Sequence, residues 1–157
     1  MPNMMRWRYG DTNPVILPVE VGHTVEIGDL VYLDVDSARP ISSLPDLGTL
    51  AANQEAMHDQ FLGVAMQASG TGGADAVRIA TSGVFEFQCV TEAFEVGDLI
   101  GGREEGTGTQ LDKQIVTGVA TENLAIGRCA KRVPTPGNKV LVDIVSTSMR
   151  GGAQAAA

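Results

Sequence analysis

Val25-Glu26-Ile27-Gly28-Asp29-Leu30-Val31 returns as Phe94-Glu95-Val96-Gly97-Asp98-Leu99-Ile100, with Glu, Gly, Asp and Leu unchanged and the other three positions apolar in both. Each copy is followed by a hydrophobic-Gly-x-small step, Leu62-Gly63-Val64-Ala65 and then Ile126-Gly127-Arg128-Cys129. An alternating apolar segment follows each step, Val77 to Ile79 in the first half and Val140 to Ile144 in the second. Three elements in one order predict an internally duplicated β-unit. Gly28-Asp29 and Gly97-Asp98 read as structural turns within it. Glycine accepts φ > 0 there, and an aspartate carboxylate can accept nearby backbone N–H groups.

The fold class that follows is mainly β: a small barrel or sandwich with one short helix and an extended N-terminal arm. Nineteen glycines and a hydrophobic fraction of 43% with only 4% aromatics suit many turns around a Val/Ile/Leu/Ala core. The chain divides into an arm over 1–18, a barrel-like domain over 19–148 and a flexible small-residue tail over 149–157. Every odd position from Val77 to Cys89 can face a core, which predicts one long strand with a bend or bulge at Gly83. Val31, Leu33 and Val35 alternate with polar neighbours as another half-buried strand, and Gln114–Ala120, Ala125–Val133 and Lys139–Thr147 supply the rest. The helix spans about 49–60, with Thr49 as N-cap and Leu50, Met57 and Phe61 on one stripe. Ser69–Asp75 and Gly101–Gly108 read as glycine-rich turns, and Pro134 to Asn138 as another turn.

Nothing in the sequence assembles into a reactive centre. His23 and His58 lack a second ligand at helical spacing, and Cys89 and Cys129 match no metal spacing, so no metal, cofactor or enzymatic activity is expected. The cysteines read as small buried side chains. The glycine-rich segments lack the Gly-Lys-Ser/Thr of a phosphate loop. A net charge of −8 argues against a nucleic-acid partner, which would require a basic surface. No apolar stretch is long enough for a membrane span, and no apolar segment after Arg6 and Arg8 suggests a signal peptide, so synthesis in a host cytoplasm is expected. Arg6, Trp7, Arg8 and Tyr9 form the candidate protein interface. They hold the only Trp of the chain, and Trp, Tyr and Arg are enriched where proteins grip one another.

The order of these motifs resembles a family. Phe61-Leu62-Gly63-Val64-Ala65-Met66-Gln67, then Val77-Arg78-Ile79-Ala80-Thr81-Ser82-Gly83-Val84-Phe85-Glu86-Phe87, then the second Glu-Val-Gly-Asp turn look like phage capsid cement (head decoration) proteins. Asn123 to Arg128 and Val140 to Ile144 continue the likeness, which covers about Val21 to Thr147. The resemblance implies a non-enzymatic virion protein on the capsid exterior, often a homotrimer, that clamps neighbouring major capsid subunits. Two other readings stand beside it: a subunit of another assembly, such as a tail or secretion component, and a small β-barrel ligand-binding domain or enzyme.

Overall fold

Two sheets built on one plan follow each other along the chain. The computed structural model describes residues 6–70, 75–106 and 108–154. Its strands are β1 (Arg6–Tyr9), β2 (Val15–Pro18), β3 (Leu30–Asp34), β4 (Ser37–Pro40), β5 (Phe61–Ala65) and β6 (Ala76–Ala80). There follow β7 (Ser82–Phe94), β8 (Leu99–Glu104), β9 (Leu111–Gly118), β10 (Gly127–Cys129) and β11 (Val133–Val145). Helix α1 (Leu50–Gln60) lies between β4 and β5, and α2 (Thr147–Arg150) follows β11. The first sheet has the order β2-β6-β5-β3-β4 and the second β7-β11-β10-β8-β9, with β1 added outside β7.

The register repeats residue by residue. Leu30 and Val31 face Val64 and Gly63, just as Leu99 and Ile100 face Arg128 and Gly127. Val15 and Leu17 face Ile79 and Val77, as Phe85 and Phe87 face Val142 and Val140. Closure repeats as well. In the second half, Gln88 and Cys89 pair in parallel with Ile115 and Val116, completing a closed five-stranded barrel. The first half has one parallel bridge at the equivalent place, Val19 to Ala38. The duplicated β-unit predicted from sequence is therefore the architecture of the molecule.

Glycine is required where the copies pack backbone on backbone. A β-carbon on Gly63 would fall under 3.0 Å from the carbonyl of Ala80, and one on Gly127 would meet the carbonyl of Asp143 in the same way. The two interiors also correspond. Val19, Val25, Val31, Ala65 and Ile79 form one apolar cluster. Their counterparts Cys89, Phe94, Ile100, Cys129 and Val142 belong to a larger one. That larger cluster continues through Leu30, Tyr32, Met57, Phe61 and Leu111, so apolar packing joins the halves directly.

Helix α1 starts where expected, with Ala52 N–H donating to Thr49 Oγ1 at 3.2 Å. Of the predicted stripe, Met57 and Phe61 are fully buried. Polar anchors matter as much: buried Gln54 donates to Gly102 O at 2.8 Å, and buried Asn53 donates to Thr109 O at 2.7 Å. Asp46 Oδ1 accepts from Asn53 Nδ2, Thr109 Oγ1 and Gly48 N–H, tying three segments together.

Several boundaries differ from the sequence reading. The long odd-numbered row is buried throughout, but it is two strands, β6 and β7, divided at Thr81. Thr81 N–H donates to Thr12 O at 2.8 Å and its hydroxyl to Asn13 O at 2.7 Å, so the chain turns out of one barrel into the next. Gly83 follows with φ 116°, the expected bend. Residues 6–18, read as an arm, are strands of the sheets: β1 pairs with β7 and β2 with β6. Met1–Met5 lie outside the described residues.

The tail read over 149–157 is docked as far as Gln154, because Arg128 Nη2 donates to Gln154 O at 2.6 Å and Ala153 is buried. Gly101 and Gly102 are in β8 rather than in a turn. Side chains there would strike Leu124 O and Met57 Sδ, so they are glycines of close approach. Pro134 to Asn138 lies within β11, where register shifts between Val133, Gly137 and Lys139 absorb the prolines.

Candidate protein-binding groove

The repeated turns are identical in their hydrogen bonding. Glu26 N–H donates to Asp29 Oδ2 at 2.9 Å, and Glu95 N–H to Asp98 Oδ2 at 2.8 Å. Gly28 and Gly97 have φ of 95° and 94°, the left-handed region that favours glycine. Each glycine N–H donates to the last residue of the hydrophobic-Gly-x-small step, Ala65 O at 2.8 Å and Cys129 O at 2.9 Å. Gly28-Asp29 and Gly97-Asp98 thus sit in matching turns closed by these bonds.

Their surroundings differ. Asp98 is exposed, whereas Asp29 is fully buried and meets Lys113 Nζ at 3.2 Å and Gln114 Nε2 at 2.7 Å. Burial pushes the Asp29 carboxyl above its ordinary range against the pull of those partners. This is a structural tie between the halves.

Strand β1 has no counterpart in the first sheet, and it carries the sequence-predicted interface residues to an edge. Arg6 faces Glu86 and Trp7 faces Phe85 across the β1–β7 pairing, with a bulge before Tyr9. Trp7 is 50% and Tyr9 52% exposed, and the Trp7 indole N–H donates to Gly10 O at 3.2 Å. Large aromatic faces thus lie open beside a paired, ordered backbone.

Arg8 and Tyr9 also form one wall of a groove of about 650 Å³, whose other walls come from β11, its approach and Glu86 of β7. Lys131, Arg132 and Lys139 add three cations to Arg8, and Glu86 is the one carboxylate of the lining. Glu86 meets Arg8 at 2.8 Å and Lys139 at 3.9 Å, which spaces the two cations around it. Arg132 pairs with Glu95 at 2.8 Å at an exposed position. Val133, Pro134 and Leu141 supply an apolar floor. Four exposed cations over apolar surface, next to Trp7 and Tyr9, can grip carboxylate-bearing polypeptide.

Arg8 and Tyr9 are legible in the sequence as interface residues, whereas Lys131, Arg132, Lys139 and Glu86 read there only as parts of strands. The adjacent pair Lys131-Arg132 in an acidic chain was the available signal.

Among the described residues no three His, Cys, Asp or Glu side chains are grouped as metal donors. His58 Nδ1 lies 2.7 Å from Ala125 O. Cys89 and Cys129 are buried free thiols, and burial, aided by Glu92, pushes the Cys89 thiol up to about 11. No helix among the described residues is long and apolar enough to cross a membrane. No protein-family model and no curated protein matches this chain.

Proposed function

We propose that this protein is a non-enzymatic cement protein that binds the exterior of an icosahedral phage capsid and stabilises contacts between major capsid subunits, acting as a homotrimer or at threefold sites. The motif order given above supports the family. The structural observation that supports a binding role is strand β1, an addition to a duplicated barrel that exposes Trp7 and Tyr9 at the lip of a cationic groove. The closed five-stranded barrel of the second half is complete without that strand, and the sheet of the first half forms on the same plan with none in its place among the described residues.

Cosedimentation with expanded, decoration-free capsids tests the proposal. Wild-type protein should pellet with the shells. Trp7→Ala should lose on the order of 2–4 kcal/mol of binding, the range typical of a buried aromatic anchor. Its melting should fall by less than the binding does, because the Trp7 side chain is half exposed in the free protein and loses there only its packed half and its bond to Gly10 O. Deleting residues 1–9 is a blunter probe than the sequence suggests, since it also uncovers the β7 edge at residues 84–86. Absence of wild-type protein from the pellet would overturn the assignment.

A further inference from the structure

The internal repeat provides a comparison that a single barrel would lack. Backbone equivalence runs through this region in both copies: Met66 N–H donates to Arg78 O and Ala130 N–H to Leu141 O, each at 2.8 Å. Ser69 N–H reaches Val25 O, and Val133 pairs with Phe94, so the residues between them correspond as well. Lys131 and Arg132 therefore occupy the places of Gln67 and Ala68. Lys139 facing Gln88 occupies the place of Ala76 facing Pro18. Glu86 stands where the first copy has Ile16, and Leu141 where it has Arg78.

The same backbone thus forms with two neutral small residues and one amide in place of three cations, so the fold does not require those charges. Arg8 arrives on β1, which has no counterpart in the first copy among the described residues.

Charge is also segregated. The groove holds four cations against Glu86 in its lining and Glu95 on Arg132 at its edge, while the rest of the chain holds seven cations against seventeen carboxylates. A long polyanion that overran the groove would meet that acidic remainder, which disfavours nucleic acid. A short carboxylate-bearing segment confined to the groove would not. The apolar floor of Val133, Pro134 and Leu141 suits alternating apolar side chains of such a segment.

We infer that the groove between β1 and β11 is a docking site for an extended acidic segment of a partner protein, gripped by Arg8, Lys131, Arg132 and Lys139. The inference deepens the capsid reading by naming the chemistry of the partner segment, and it rests on that reading only for the identity of the partner.

The test uses the full chain and three fluorescein-labelled probes: a peptide of alternating glutamate and valine, its glutamine–valine counterpart, and an oligothymidylate of similar length. Fluorescence anisotropy should show binding of the glutamate peptide that weakens as salt shortens the screening length, and little binding of the other two. The variant Lys131→Gln, Arg132→Ala, Lys139→Ala copies the first half and should melt like wild type. Its affinity for the glutamate peptide should fall by about tenfold or more, as three screened pairs are lost together. Replacing Arg78 and Arg103, outside the groove, should leave binding unchanged.

Equal binding of the two peptides, indifference to the triple variant, or tighter binding of the oligonucleotide would overturn the inference. So would dimerisation of the protein alone that the triple variant abolishes, since the occupant would then be a second copy. The same variant in the capsid assay separates the two readings. Peptide binding without capsid binding sinks the capsid assignment and leaves the groove. Capsid binding that the triple variant leaves intact sinks the groove and leaves the capsid.

Discussion

Gln114 Nε2 donates to Asp29 Oδ1 at 2.7 Å, carrying a hydrogen bond from β9 of the second half to the turn of the first. Lys113, the preceding residue, brings its ammonium to Asp29 Oδ2 at 3.2 Å and to Glu26 at 3.4 Å. The sister turn is met at other atoms, Arg132 on Glu95 and Arg128 on Gly97 O, while Asp98 itself is exposed and closes its own loop at the surface. Two aspartates of one motif therefore differ in what their loss would do.

Asp29→Ala should destabilise by about 2–3 kcal/mol, the cost of leaving the Gln114 amide and the Glu26 N–H without their acceptor, while water can take up the partly exposed Lys113. Asp98→Ala should cost about 1 kcal/mol, as for a single exposed backbone-to-side-chain hydrogen bond. Urea denaturation of both variants measures the difference. Equal midpoints would contradict the tie between the halves.

Gly97 and Gly63 should fail for different reasons. A β-carbon on Gly97 meets nothing within 4 Å, but φ of 94° makes Gly97→Val strained by about 1–3 kcal/mol. Gly63 does not adopt a left-handed φ, yet its β-carbon would collide with the Ala80 carbonyl of the neighbouring strand. Backbone cannot swing aside like a side chain, so Gly63→Ala should cost at least about 3 kcal/mol, the upper range of overpacking. Calorimetric melting should rank Gly63→Ala below Gly97→Ala.

Acid should loosen the junction around α1. Hydrogen bonds from Asn53, Thr109 and Gly48 lower the Asp46 carboxyl to about 2 from its ordinary 3.8. A folded pKa below the unfolded one contributes stability that is complete above the unfolded value. That contribution is lost as pH falls through about 2. Asp46→Asn should flatten the fall in melting temperature between those two values, and a fall as steep as wild type would exclude Asp46 as a contributor.

The thiols should be silent in the folded protein. Cys89 is pushed up to about 11 and both cysteines are buried, so neither offers thiolate at neutral pH. A colourimetric disulfide reagent should label them only in denaturant, and added reductant should leave the melting curve unchanged. Rapid labelling of the native protein would contradict the burial.

The repeat, the core-facing odd positions of β6 and β7 and the Thr49 cap were legible because each is a local pattern with a local cause. Alternation reports a half-buried strand, and a threonine before Leu50 reports unsatisfied helix N–H groups. The place where the long apolar row breaks was not legible, because Thr81 is turned by hydrogen bonds it donates to the Thr12 and Asn13 carbonyls, nearly seventy residues away. Gly101 and Gly102 misled for a similar reason: the Met57 and Leu124 atoms that exclude side chains there come from distant elements. The candidate interface was half legible. Trp7 and Arg8 stand out by composition, whereas Lys139 joins them only once β1 and β11 flank β7.

Thr81 has a mechanical meaning for a protein proposed to hold a shell together. Thr12 and Asn13 reach it from near the start of the described chain, and Ser146 N–H donates to its carbonyl at 3.1 Å from near the end. Tension applied between a strand of one barrel and a strand of the other need not travel through the covalent linker alone. It divides among three segments riveted at one buried threonine, loaded side by side rather than unzipped in series. Load crossing the seam is thus carried by hydrogen bonds to Thr81 as well as by the covalent chain.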